Sequence, residues 1–341
     1  MNPALIRSWA AVLLLSVVAA AAGCDIEAGL KQLAQRKAGH QRSTASGSSG
    51  DTRTDWPTNG SRPPAAVPRP GDGITIASFN IQVFGTSKAE KPEVMRVLAD
   101  VVRRFDVVAI QEIRAKDQNL IPQFVQQINA AGGHYDFVLG SRQGRTSSKE
   151  QYAYLYDASR IEVRAGSVYS VPDPQDLLHR PPLVAGFIVR GPPASEAFSF
   201  TLINIHTDPD EVEYEVDALA DVYEAVRQNG DREDDIILLG DLNASPQQLG
   251  RLGRLPGLRP AIYGVPTNTR RNKEYDNILL DSRATTEFTG EAGVLDLEQV
   301  YRLTREQALD VSDHLPVWAT FRPYEAGTGP IAAGPRSPRR Q

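Results

Sequence analysis

Short apolar runs recur along this chain, and each is bounded by a side chain able to do chemistry. Ile74-Thr75-Ile76-Ala77 leads into Ser78-Phe79-Asn80, and Val107-Val108-Ala109-Ile110 leads into Gln111-Glu112. Phe200-Thr201-Leu202-Ile203-Asn204-Ile205 ends at His206, and Ile236-Ile237-Leu238-Leu239 ends at Gly240-Asp241-Leu242-Asn243. Ser312-Asp313-His314 adjoins the strand-like Val317-Trp318-Ala319-Thr320-Phe321. Runs of this length read as largely buried β-strands. The expectation is that all five deliver their polar group at the strand's C-terminal end, where layered α/β folds build sites. Asn, Glu, His, Asp with Asn, and Asp with His form a set suited to divalent-metal phosphodiester hydrolysis.

Helical periods separate these runs. Val94, Val97, Leu98, Val101, Val102 and Phe105 make one stripe, so a helix is expected over 92–105, with Pro92 in its first turn. A second helix is expected over 211–226 from Val212, Val216, Leu219, Tyr223 and Val226. Further strands are expected over 151–156, 187–190, 275–280 and 315–321. The alternation of Tyr152, Tyr154 and Tyr156 predicts that the strand over 151–156 is half buried. Unbroken apolar runs beside alternating ones favour an α/β fold with two packed sheets and outer helices over one open sheet.

The ends of the chain have another character. Arg7 precedes an apolar stretch over 10–22 that is too short for a comfortable membrane span, and Cys24 follows Ala21-Ala22-Gly23. Residues 1–23 therefore read as a signal peptide of lipoprotein type, with Cys24 acylated. The alternative is an ordinary cleaved signal with an incidental cysteine. Cys24 is the single cysteine, so no intrachain disulfide forms. The Ser-, Thr-, Gly- and Pro-rich stretch within 24–71 reads as an unpacked tether. Residues 72–323 form the expected domain, and 324–341 an equally unpacked tail. The expected location is the bacterial cell envelope, membrane-anchored through Cys24, with secretion as the alternative.

Formal net charge is −5, which argues against a storage or architectural role on nucleic acid. It is compatible with an enzyme that binds through a local basic patch and lets go.

Each motif also has a plainer meaning. Glu112 at the end of a buried strand must bind a cation or pair with a base such as Arg114. Gly240-Asp241-Leu242-Asn243 can be a simple turn, with Asp241 and Asn243 on one side. Ser312-Asp313 can be a helix cap, and His206 or His314 a structural imidazole. Asp276, opening a strand, could orient a histidine. His134 and His179 read as surface residues.

Taken in order, Ser78-Phe79-Asn80-Ile81, Gln111-Glu112-Ile113-Arg114, Ser148-Lys149-Glu150-Gln151-Tyr152, His179-Arg180-Pro181-Pro182, Ile205-His206, Gly240-Asp241-Leu242-Asn243-Ala244, Tyr275-Asp276 and Ser312-Asp313-His314-Leu315-Pro316-Val317 form a series. That series resembles the endonuclease/exonuclease/phosphatase superfamily, in its deoxyribonuclease I branch, over nearly the whole expected domain. The resemblance implies a four-layer α-β-β-α sandwich of two mixed sheets flanked by helices. It implies Glu112 as principal metal ligand, with Asn80 and Asp313 completing or supporting that site. Asp241 and Asn243 match groups at the scissile phosphate. His206 matches one catalytic histidine, partnered by Glu150, and His314 the other, oriented by Asp276. Arg180 matches a phosphate-binding arginine, and Arg114 one that reaches into the DNA minor groove.

The chain departs from that pattern at two places. Gln82 stands for an arginine and Ser148 for a groove-stacking tyrosine, which should weaken the grip on DNA. The family's disulfides are absent, so calcium is a candidate loop stabiliser, with no site assignable from the sequence. Oxygen ligands favour Mg or Mn over Zn. The expected substrate is DNA, cut with little sequence preference by a monomer without an obligate protein partner. The alternatives are a sphingomyelinase or phosphoinositide phosphatase on the same fold, and a non-catalytic binding protein. An abasic-site endonuclease is disfavoured, because it usually has tyrosine where His206 stands.

Overall fold

The computed structural model describes Trp56, residues 73–229 and residues 233–325. The signal segment, Cys24, the tether apart from Trp56, and the tail beyond 325 lie outside the described residues. Trp56 is half-buried and packs on the domain, so the stretch read as unpacked touches the core at this one described point.

Two sheets carry the fold. The first orders its strands β12-β13-β1-β2-β4-β3, with β1 Ile74–Phe84, β2 Val107–Ile113, β3 Tyr135–Leu139, β4 Gln151–Asp157, β12 Phe288–Val294 and β13 Val317–Phe321. The second orders β10-β11-β9-β8-β7-β5, with β5 Ile161–Val163, β7 Leu183–Val189, β8 Ser199–His206, β9 Ile236–Asp241, β10 Leu258–Pro260 and β11 Asp276–Asp281; β6 (Tyr169–Ser170) pairs with β7. Both sheets are mixed: β1–β2 and β8–β9 run parallel and their other pairings antiparallel. The helices are α1 Thr86–Ala89, α2 Pro92–Val102, α3 Leu120–Ala130, α4 Val212–Arg227, α5 Leu297–Tyr301 and α6 Arg305–Val311.

Side-chain alternation sorts the central strands into layers. Ile74 and Ile76 of β1 and Ile237 and Leu239 of β9 enter the cluster between the sheets. Ala77, Phe79 and Ile81 face outward beneath α2 and α3, while Ile236 and Leu238 face outward beneath α4. Burial on both faces is why these strands read as unbroken apolar runs. The expected α/β four-layer sandwich is the observed one.

Three details differ from expectation. Tyr152, Tyr154 and Tyr156 are all buried, because β4 is covered on both faces. Tyr154 Oη satisfies itself on the carbonyls of Leu183 and Leu202, so an intersheet tyrosine carries its polar end into the opposite sheet. The first helix stops at Val102, and a tight turn carries the chain through Phe105.

The third concerns the working edge. Four of the five runs end there, on β1, β2, β8 and β9. Asp313 and His314 instead precede β13, which is antiparallel to β1 with Ser78 opposite Val317. Asp276 likewise opens β11, opposite Asp241 of β9. Antiparallel strands reach the same edge from their N-terminal ends.

Candidate active site

Glu112 is presented by a break in the ladder. Ile110 pairs with Ala153 and Ile113 with Gln151, so Gln111 and Glu112 face one residue of β4. This is a β-bulge, and Glu112 takes φ 60° within it. A non-glycine residue held there costs about 1–3 kcal/mol, a strain that clusters at functional sites. The bulge is pinned by buried amides. Gln111 Nε2 donates to Asn204 Oδ1 (2.7 Å) and Ser78 Oγ (3.0 Å), and Asn204 Nδ2 reaches the carbonyls of Ile110 and Ala153. Glu112 Oε2 accepts from Val83 N at 2.9 Å, and Asn80 Nδ2 lies 3.3 Å from Oε1.

Two histidines stand across the cleft, each fixed by a buried carboxylate. His206 Nδ1 lies 2.9 Å from Glu150 Oε2, and His314 Nδ1 lies 2.9 Å from Asp276 Oδ2. Thr267 Oγ1 donates to that same Asp276 oxygen at 2.8 Å. Both Nε2 atoms lie 3.5 Å from Asp241 Oδ2, which also accepts from Asn80 Nδ2 at 2.9 Å. Burial opposes a charged His314, but Asp276, Asp241 and Asp313 outweigh it and hold its pKa well above the ordinary imidazole value. Burial also works against a charged Glu150, yet the bond from His206 and the charges of His206, Arg180 and Arg114 hold it below the usual carboxylate range.

Arg180 is anchored by Nε to the carbonyl of His206 (3.0 Å) and by Nη1 to Glu150 Oε1 (3.2 Å). Its Nη2 is buried without a partner. Asn243, at φ 46°, ties the turn after β9 to the carbonyl of Thr207 through Nδ2. Arg114 lies over two of the carboxylates, with Nη2 3.0 Å from Glu112 Oε2 and 3.1 Å from Glu150 Oε1. The pairing weighed against a metal role for Glu112 is therefore present. Glu112, Arg114, Glu150, Arg180, His206, Asp241, Asn243 and His314 line one cleft of about 420 Å³.

A divalent ion fits the Glu112 side. The buried oxygens Asn80 Oδ1 and Asp313 Oδ1 have no hydrogen-bond partner. Burial, and after it the charges of Glu112 and Asp241, raise the Asp313 pKa against the pull of His314. Hard oxygen donors of this kind suit Mg or Mn. Asp241, Asp276 and His314 also have ligand-like spacing. There the imidazole and carboxylate already satisfy each other, so that group reads as acid–base machinery.

The sequence matches the model of the endonuclease/exonuclease/phosphatase family over residues 77–321. The chain belongs to that family. It is 32% identical over 263 residues to deoxyribonuclease gamma of Rattus norvegicus, covering 72% of this chain and 83% of the relative. It is 33% identical over 254 residues to deoxyribonuclease-1-like 1 of Chlorocebus aethiops, covering 71% and 82%. Among solved structures, an endonuclease/exonuclease/phosphatase family protein of Bacteroides thetaiotaomicron shares the fold at TM-score 0.51 and 18% identity, covering 73% of this chain and 97% of that one.

On this member of the endonuclease/exonuclease/phosphatase family, the structure gathers Asn80, Glu112, Glu150, Arg180, His206, Asp241, Asn243, Asp276, Asp313, His314 and Arg114 around one edge. It adds residues that sequence reading passed over. Ser312 Oγ donates to Asn80 O and accepts from Gln82 N and His314 N, locking the metal side to the histidine side. Tyr152 Oη accepts from His206 N and reaches the carbonyl of Arg180. His179 is half-buried at the cleft and lies 3.2 Å from Asp208 Oδ2, which corrects its reading as a surface residue. His134 is exposed, as expected. Its proximity to Arg180 in the chain was the available signal for His179.

Proposed function

We propose that this chain is a divalent-metal-dependent endonuclease that hydrolyses the phosphodiester bonds of DNA with little sequence preference. The observation that carries the reading is the convergence of two carboxylate-fixed histidines on Asp241 beside the unpartnered Nη2 of Arg180. The named deoxyribonuclease relatives support DNA as substrate.

Glu112, Asn80 and Asp313 would hold the ion, which when bound supplies positive charge against the phosphate oxygens. Arg180 holds a phosphate oxygen through its spare donor. His206, donating a hydrogen bond from Nδ1–H to Glu150, keeps an Nε2 lone pair and takes the proton of the attacking water. His314 retains its proton under the field of Asp276 and Asp241 and gives it to the leaving alkoxide. Asp241 sits between the two imidazoles and orients both.

The test uses mature protein with Mg or Mn on supercoiled plasmid, sphingomyelin and a phosphoinositide. Nicking that vanishes in chelator and in Glu112→Gln, with the fold retained, supports the reading. Undiminished nicking under either condition removes the metal, and turnover of a lipid without nicking transfers the chain to a lipid substrate.

We further propose export and acylation at Cys24, which leaves a monomeric domain on a tether outside the cytoplasmic membrane. Support comes from the sequence of residues 1–24 alone. Mass spectrometry of the mature N-terminus decides it: a diacylglyceryl-cysteine start supports the anchor, and an unmodified start elsewhere ends it.

A further inference from the structure

Three acidic side chains meet where no catalysis is needed. Asp235 precedes β9, Glu287 precedes β12, and Glu325 lies in the segment beyond β13. A ligand oxygen from each lies within 4.8 Å of the others, and Glu233 forms an overlapping set with Asp234 and Asp235. Asp241 stands at the far end of the six-residue β9, so this cluster is about 20 Å from the cleft.

The cluster is buried and underpaid in positive charge. Asp235 is 2% exposed and Glu287 1%. Among the described residues, no basic side chain forms an ion pair with either. Arg164 pairs with Glu233 at the margin of the cluster, 3.6 Å from its Oε2, and Arg322 donates to the carbonyl of Thr286. Asp235 Oδ1 is buried with no hydrogen-bond partner. The buried hydroxyl of Thr285 faces the Asp235 carboxylate, close enough to favour its charged form. Adjacent carboxylates at this depth require either a cation or a bound proton.

We propose that Asp235, Glu287 and Glu325, with the Thr285 hydroxyl, form a structural site for a hard divalent cation of the calcium class. Carboxylate and hydroxyl oxygens from separate segments match the adaptable all-oxygen coordination that calcium accepts. The site would fasten the segment before β9, the turn before β12 and the end of the described chain to one another. Ser199 N already holds Glu325 Oε1 at 2.9 Å, which positions that carboxylate before an ion arrives.

The test is thermal unfolding and calorimetric titration of the full mature chain with calcium chloride, in magnesium-free buffer. Calcium is expected to raise Tm of the wild type by mass action. In Asp235→Asn/Glu287→Gln, which removes two charged ligands, calcium affinity falls by more than about tenfold and the rise disappears at the same calcium concentration. Glu325→Gln, at the half-exposed member, is the second variant and is expected to weaken calcium without unfolding the chain. Magnesium-supported plasmid nicking by the folded variants stays near the wild-type rate. No calcium-dependent rise in the wild type, or an equal rise in the variants, overturns the site and leaves a proton-sharing carboxylate cluster.

Discussion

His206 and His314 turn their Nε2 atoms toward a single oxygen, with Asp241 Oδ2 3.5 Å from each. The two imidazoles are thereby held at a common separation, but their environments differ. His206 faces Glu150, which Arg180 and Arg114 also neutralise. His314 faces Asp276, whose remaining buried oxygen has no partner. The same side-chain type is thus placed beside a carboxylate shared with two arginines on one side and a carboxylate without an arginine partner on the other, which separates base from acid.

Asp276→Asn tests this difference. The amide keeps the shape but removes the negative charge that raises His314. A group held protonated by a carboxylate loses its proton at lower pH once that charge is gone. The alkaline limb of the kcat/KM profile is therefore expected to move to lower pH, with the acid limb in place. An unmoved alkaline limb shows that another group sets it.

Gly240 is the position where backbone and site depend on each other most directly. It has φ 149°, and a Cβ there would lie 1.9 Å from the carbonyl oxygen of Ile205. That contact is between parallel neighbours β8 and β9, one residue before His206 and Asp241 face each other. Gly240→Ala is expected to cost on the order of 3 kcal/mol by overpacking and backbone strain. It also moves Asp241 relative to both histidines, so activity falls by more than the loss of folded protein. Chemical denaturation alongside activity per folded molecule checks this, and full specific activity in the folded fraction contradicts it.

Glu215 on α4 clamps the two loops that carry Arg180 and Asp208. Its oxygens accept the backbone N–H of His179 and, at 2.5 Å, that of Asp208. Burial is the main cause that pushes its pKa up to about 7, against the two hydrogen bonds that lower it. A folded value above the unfolded one means the stabilising contribution is complete below about 4.5 and lost as pH rises through about 7. Wild-type Tm is therefore expected to fall between about pH 5 and 7 relative to Glu215→Gln, which has no proton to lose there. Parallel Tm curves for the two proteins would count against the clamp's titration.

The strands of the core were legible because burial on both faces leaves unbroken apolar runs, as in Ile236–Leu239. The site residues were legible from their order along the chain, since most lie in or beside the apolar runs that form the central strands. What escaped reading depends on pairing between distant segments. β12 is half-exposed, carries Gly290 and Gly293, and shows no alternation, because it sits at a sheet edge. The bulge at Glu112 exists only relative to β4, and β4 reads as a half-buried strand because the elements that cover its two faces lie far away in sequence. α3 did carry a readable stripe in Leu120, Ile121, Phe124, Val125 and Ile128, and it was passed over. Arrival at one edge from both strand directions likewise follows from topology rather than from any local signal.

Arg114 separates two demands on the same side chain. Its guanidinium lies on Glu112 and Glu150, with Nη1 3.0 Å from Ser148 Oγ, where the resemblance gives it a reach into the minor groove. A cation and this guanidinium would compete for Glu112 Oε2. Arg114→Ala is therefore expected to lower the magnesium concentration needed for half-maximal hydrolysis of a small phosphodiester such as bis(p-nitrophenyl) phosphate. Duplex DNA responds in the opposite sense, because its narrow groove has strong negative potential and the variant has lost the positive charge that meets it. Loss of one such contact is expected to reduce plasmid cleavage on the order of tenfold and to flatten its dependence on salt. Magnesium titrations on both substrates check the pair of outcomes. Equal losses on the two substrates with an unchanged magnesium requirement would show that Arg114 serves the Glu150–His206 geometry and not the groove.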